Sequence, residues 1–242
     1  MVRLGVIYDA SEGPLGPVRR ALGIDPGSPF AHFCVLDAPA EPGTPPRIVA
    51  CRSIRWRGTP EEGAIGACEI AGLLEGVERI GAETQFLVVR SAREDGGSAV
   101  RAAGGYFGSL IKIAHSVGVT AGISAALGGL GVVQVSPGTW RALLSGWPRK
   151  TRDEARRASL EALRLAAPGQ GPGRGGAWRA GDHDLAAAYW IAAWALGIRS
   201  VRDLGISGPI APPAPKRKRH ASPKPAKTSS AGSAGAEGAG SG

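Results

Sequence analysis

From Ala21 to Trp56 the apolar residues come in short runs separated by turn formers, a pattern of strands. ALGID and AHFCVL flank Pro26 and Gly27, which predicts a strand, a turn and a second strand over Ala31–Leu36. The loop APAEPGTPP follows, and RIVACRSIRW predicts a third strand returning as a meander. GTPEEGAIGACEIAGLLEGVERIGA predicts a helix, with Thr59 as its cap, Pro60 at its first position and Glu61 and Glu62 in its first turn. QFLVVRSA is β-branched and predicts a strand. GSAVRAAGGYFGSLIKIAHSVG predicts a helix in which Gly104, Gly105 and Gly108 mark a close approach of backbone. VVQVSP predicts a strand ended by Pro137. PGTWRALLSG and TRDEARRASLEALRLAA predict helices, the second pairing acids with arginines at helical spacing. APGQGPGRGGAWRAG predicts a flexible loop, and DHDLAAAYWIAAWAL a last helix to about Leu196.

A three-strand meander followed by alternating helices and strands predicts an α/β or α+β layer fold with a mixed sheet. Residues 1–19 are set apart as an N-terminal extension, although LGVIY within them fits a short strand. Residues 20–205 form the predicted domain, and 206–242 a disordered tail rich in Pro, Ala, Lys, Ser and Gly.

Charge sharpens this division. Lys216, Arg217, Lys218, Arg219, Lys224 and Lys227 stand against Glu237 alone, so residues 211–242 carry +5 of the formal +9. Such a tail suits a polyanion without sequence preference, or less specifically a localisation signal. Cys34, Cys51 and Cys68 are odd in number and widely spaced, which predicts reduced, packed cysteines, not a disulfide framework or zinc site. No apolar run is long enough to span a bilayer and no secretory signal opens the chain, so no membrane partner is expected. These features point to a cytoplasmic protein, with nucleoid association a further expectation.

Two segments carry candidate chemistry. Asp25 in GIDPG opens a turn, or serves as a strand-end carboxylate facing a cleft where a metal can sit. Asp182 and Asp184 cap the last helix, or place carboxylates in a site, with His183 beside them.

GIDPG, VSPGTWRALL ahead of a basic helix, and DHDLA opening an apolar helix occur in one order. This set resembles the RuvC-like Holliday-junction resolvases, most nearly the phage-type members of the ribonuclease-H-like superfamily, over about residues 20–200. The resemblance implies a ribonuclease-H-like mixed sheet, a homodimer, and two divalent metals (Mg2+ or Mn2+) held by four carboxylates for hydrolysis of branched DNA. Asp25 and Asp184 match two of those positions. Arg90 stands where the central-strand glutamate is expected, and Ala187 where an acid is expected one turn after Asp184. Asp182, Glu94 and Glu83 are the candidates to complete a rebuilt site. Lys150 fits a position where phage-type relatives carry a lysine near the scissile phosphate.

Three readings follow: a binder of branched or duplex DNA with weakened or lost cleavage, a working metal-dependent endonuclease, and an assembly protein that tethers nucleic acid. The candidate DNA contacts are Arg90, Arg149, Lys150, Arg152, Arg156, Arg174 and Arg179, with Lys216, Arg217, Lys218 and Arg219 in the tail. Asp153 and Glu154 neutralise part of the helical group of cations, and Trp178 is a candidate to stack on an unpaired base. Trp140 and Trp147 are expected in the core.

Overall fold

The computed structural model describes residues 8–9, 17–27, 30–55, 60–83, 122, 124, 126–147 and 151–207. The predicted strand QFLVVRSA, the glycine-bearing helix after it and the basic tail lie outside these residues. The strands are β1 (Tyr8–Asp9), β2 (Arg20–Asp25), β3 (Phe30–Asp37), β4 (Arg47–Arg55), β5 (Arg79–Glu83) and β6 (Val132–Val135). The helices used below are α1 (Pro60–Leu73), α2 (Pro137–Ala142), α3 (Arg152–Ala166) and α4 (His183–Ala195).

One sheet holds the strands in the order β1-β6-β5-β2-β3-β4. β2, β3 and β4 form the expected antiparallel meander, while β5 lies parallel to β2, and β6 parallel to β5. β1, from the stretch set apart as an extension, pairs in parallel with β6. This is the mixed, helix-flanked sheet of the ribonuclease-H-like expectation.

Strand alternation sorts the core into two layers. Leu22, Ile24, Phe33, Val35, Ile54 and Ile80 pack with Ile70 and Leu73 of α1 on one face. Ala21, Cys34, Leu36, Val133 and Val135 pack on the other with α3 and α4. α4 is buried from Leu185 to Ala195, so its apolar character on every side has a direct cause. Trp190 ties it to α3 by donating its indole N–H to the Ser159 carbonyl at 2.9 Å.

Small residues let α4 lie close against the strands. A Cβ at Gly23 of β2 would stand 2.1 Å from the Ala188 carbonyl oxygen and 2.4 Å from the Ala192 nitrogen. A Cβ at Gly81 of β5 would stand 3.1 Å from Ile191 and 3.3 Å from Ala195. Backbone cannot step aside as a flexible side chain can. Gly23→Ala should therefore destabilise the fold by about 3 kcal/mol, the upper end of overpacking costs. A urea midpoint equal to that of the wild type would contradict this packing.

The helix predicted from Thr59 ends earlier than its pattern suggested. It stops at Leu73, Gly76 turns the chain at φ +69°, and RIGAE becomes β5. The pairing of Ile80 and Ala82 with the buried strands overrides the local helical pattern. The glycine-rich loop is also more ordered than its composition suggested. Gly171 and Gly173 donate backbone N–H groups to the carbonyls of Gly176 and Ala177, at 2.7 and 3.0 Å.

Candidate active site

The parallel strands β2 and β5 end side by side. Ile24 is in register with Ala82, so the next residues, Asp25 and Glu83, are neighbours, and alternation turns both toward the face that α4 covers. The contact of Ala188 with Gly23 fixes where α4 crosses β2, and Asp184 lies one helical turn earlier, toward the strand end. Asp25, Glu83 and Asp184 thereby meet at one end of the sheet, close enough that Asp25 feels the charge of the other two and Glu83 that of Asp184.

The environment of Asp25 and Glu83 opposes ionisation. Burial, then the charges of Glu83 and Asp184, push the Asp25 carboxyl well above the usual range, against a smaller opposite pull from Arg141 and Arg156. Glu83 is 7% exposed, and burial raises it as well. The Trp140 indole N–H, which donates to Glu83 Oε2 at 2.8 Å, opposes that rise, as do Arg141 and Arg152. Asp184 is the most open of the three. It lies 3.3 Å from His183 Nε2, 3.7 Å from His32 Nε2 and 3.9 Å from Arg156. Burial lowers the His32 imidazole below its usual range, so it is neutral at pH 7, and its Nδ1 lies 2.9 Å from the Ser53 hydroxyl.

Trp140 sits in α2, the short helix that Ser136 caps directly after β6. Removing its donor with Trp140→Phe should weaken Mn2+ binding about tenfold, as loss of a ligand's hydrogen-bonding partner does. The acidic limb of that binding should also move to higher pH, because Glu83 loses the bond that favours its charged form. An unchanged pH profile would show that Trp140 serves packing alone.

The structure redistributes the residues singled out by sequence. Glu83, expected ahead of a strand, ends one, and it holds the position beside Asp25 that the sequence reading gave to Arg90. Arg90 and Glu94 lie outside the described residues, as do Arg149, Lys150, Lys216, Arg217, Lys218 and Arg219. Asp182 is engaged locally: its Oδ2 accepts the Arg179 backbone N–H at 2.6 Å, and its side chain makes no cap bond to α4. Ala187 is buried in α4. Arg152 and Arg156 reach the acids' field from α3. Arg174 belongs to a separate one-turn helix, Arg174–Gly176, and Arg179 to the loop ahead of α4.

Trp178 is a correction. It is 8% exposed and donates its indole N–H to the Ala167 carbonyl at 2.8 Å, so it is a core residue and no base can stack on it. Trp140 and Trp147 are buried as expected. Cys34 is packed and Cys51 half-buried, whereas Cys68 is exposed, contrary to the packed reading. Sequence reasoning missed His32 and Ser53. The register of the meander, which sets His32 opposite Asp25 and Ser53 opposite His32, could have flagged both.

Solved structures resemble the chain. A Thermus thermophilus RuvC in complex with Holliday junction substrate is 16% identical, covers 72% of this chain and 90% of its own, and has a TM-score of 0.47. A second Thermus thermophilus RuvC structure is 17% identical, with the same coverage and a TM-score of 0.45. The yeast mitochondrial Holliday junction resolvase Ydc2 is 15% identical, covers 80% of this chain and 83% of its own, and has a TM-score of 0.45. At these identities and scores, the likeness says nothing of which residues react. No family model matches the chain, and no curated protein matches it.

The acids fit a divalent cation by donor chemistry, since hard cations take carboxylate oxygens. Asp25 and Glu83, both raised by burial and by the charge of Asp184, with Glu83 also raising Asp25, form a charge arrangement that a cation relieves. Among the described residues, no group of three or more His, Cys, Asp or Glu side chains is disposed as a ready metal cage.

Proposed function

We propose that this chain binds branched or duplex DNA and hydrolyses it in a reaction that requires Mg2+ or Mn2+. The observation that carries this reading is the meeting of Asp25, Glu83 and Asp184 at one sheet end, two of them held at an electrostatic cost. Asp25, Glu83 and Asp184 would hold the cation. When bound, the cation supplies charge stabilisation at the scissile phosphate and activates water.

The remaining steps belong to the chain's own side chains. Trp140 fixes the Glu83 carboxylate through its N–H. His183 and Arg156 flank Asp184 Oδ1, while His32 lies by Oδ2. Arg141, Arg152 and Arg156 surround the acids with positive charge that draws a phosphate in. The basic tail adds affinity without sequence preference.

A second reading, binding without cutting, is favoured by Ala187 and by the cations already beside Asp184. A labelled four-way junction, incubated with Mg2+, Mn2+ or chelator, separates the two. The proposal expects metal-dependent nicks that chelator abolishes while the gel shift persists. A shifted but intact junction under every condition would establish the second reading. Homodimerisation is part of the proposal and predicts one dimer per junction by light scattering.

A further inference from the structure

We propose that Phe30, His32, Ser53 and Arg55 form a seat for one unpaired nucleotide of a DNA strand, beside the acids. The proposal rests on the DNA-binding reading above and adds a specific subsite to it.

The seat follows from register. β3 enters the sheet at the end where β2 leaves it, so Asp25 faces His32 across the β2–β3 ladder. β4 then sets Ser53 opposite His32 and Arg55 opposite Phe30. Alternation places Phe30 on the face of His32, and Arg55 on the face of Ser53. A strip therefore runs outward from the carboxylates: first an imidazole and a hydroxyl 2.9 Å apart, then an aromatic ring and a guanidinium. Farther along the same face, Cys34 is buried against α4, whereas Phe30 is 43% exposed and Ser53 and Arg55 are exposed.

The chemistry of the strip suits one occupant. One strand spacing and two residue rises set Phe30 about 8 Å from Asp25, the scale of one nucleotide. An aromatic face takes a base of any sequence, and an arginine beside it takes a phosphate. The polar pair between them faces sugar and phosphate atoms. Arg141, Arg152 and Arg156 lie around the acids themselves, so a strand crossing the site would have cations at the acids and again at Arg55. A second protein chain would find little here to match a lone aromatic ring among polar groups.

The test uses the full chain, in chelator, with a single-stranded oligonucleotide carrying 2-aminopurine, whose emission falls when it stacks. Wild type should quench the probe. Phe30→Ala should weaken single-strand binding about tenfold and remove the quench, while Phe30→Trp retains both. Arg55→Glu should weaken binding and make its loss with salt shallower, because one phosphate contact fewer means fewer counterions released. Fully paired duplex should bind Phe30→Ala as it binds the wild type. Quenching and affinity unchanged in Phe30→Ala would overturn the seat, as would an equal loss on duplex. A change of oligomeric state in Phe30→Ala with DNA affinity intact would overturn it too, in favour of a second copy. Failure of wild type to cut DNA with metal would refute the proposed hydrolysis and leave these binding results standing.

Discussion

Glu83→Gln should reduce metal-dependent junction cleavage about a thousandfold or more, while binding in chelator changes little. The amide keeps the shape and still accepts the Trp140 N–H, so the fold and the hydrogen bond at 2.8 Å survive. What disappears is the negative charge offered to a divalent cation, and metal-assisted charge stabilisation is worth several kcal/mol. Arg90→Glu should not rescue the variant, because the strand end beside Asp25 is already occupied by position 83. Single-turnover rates with saturating protein measure the effect on chemistry apart from binding. A Glu83→Gln protein that cuts at the wild-type rate would remove Glu83 from the site.

Asp25→Asn should raise stability increasingly as pH rises above the ordinary aspartate range, while it abolishes cleavage. The sign follows from the direction of the shift. Burial and two neighbouring acids raise the Asp25 pKa in the folded state, so the folded chain holds that proton more tightly than the unfolded chain does. Its contribution to stability is thus fully present below the ordinary aspartate range. It is lost as pH rises through the raised value. Asparagine has no proton to lose, so the variant's advantage should vanish in acid and be largest at neutral and higher pH.

Cation should reverse the order. Mg2+ or Mn2+ at a hundredfold excess over Kd should stabilise the wild type by about 2.7 kcal/mol and stabilise Asp25→Asn far less. Thermal melts across pH, with and without metal, test both halves. An Asp25→Asn protein less stable than wild type at neutral pH, in chelator, would show that the carboxylate is held by stabilising partners and not strained by its neighbours.

How much of this was legible in sequence depends on the length scale of each determinant. The β2–β3–β4 meander was legible because ALGID, AHFCVL and RIVACRSIRW alternate locally and the turn chemistry of Pro26 and Gly27 separates the first two. Asp25 and Asp184 stood out because each sits at the edge of an apolar run. Glu83 was hidden. RIGAE is five residues long, follows a helical pattern without a proline, and is a strand only because β2 and β6 pair with it on either side. Its Gly81, which costs a helix and suits the close approach of α4, was the available signal. Trp178 misled for a related reason: among glycines it looks exposed, but the loop folds back and its ring enters the core beside Ala167. Long-range pairing decided both, and a single-chain pattern carries little of it.

The central claim is that Asp25, Glu83 and Asp184 act together as one cation site, and Mn2+ binding tests it without reference to DNA or cleavage. Free Mn2+ is titrated into the full-length protein by electron paramagnetic resonance, and into Asp25→Asn, Glu83→Gln and Asp184→Asn. Saturable binding by the wild type, weakened at least about tenfold in each of the three variants, is the predicted result. Wild-type affinity in Glu83→Gln, or no saturable binding by the wild type, would contradict it.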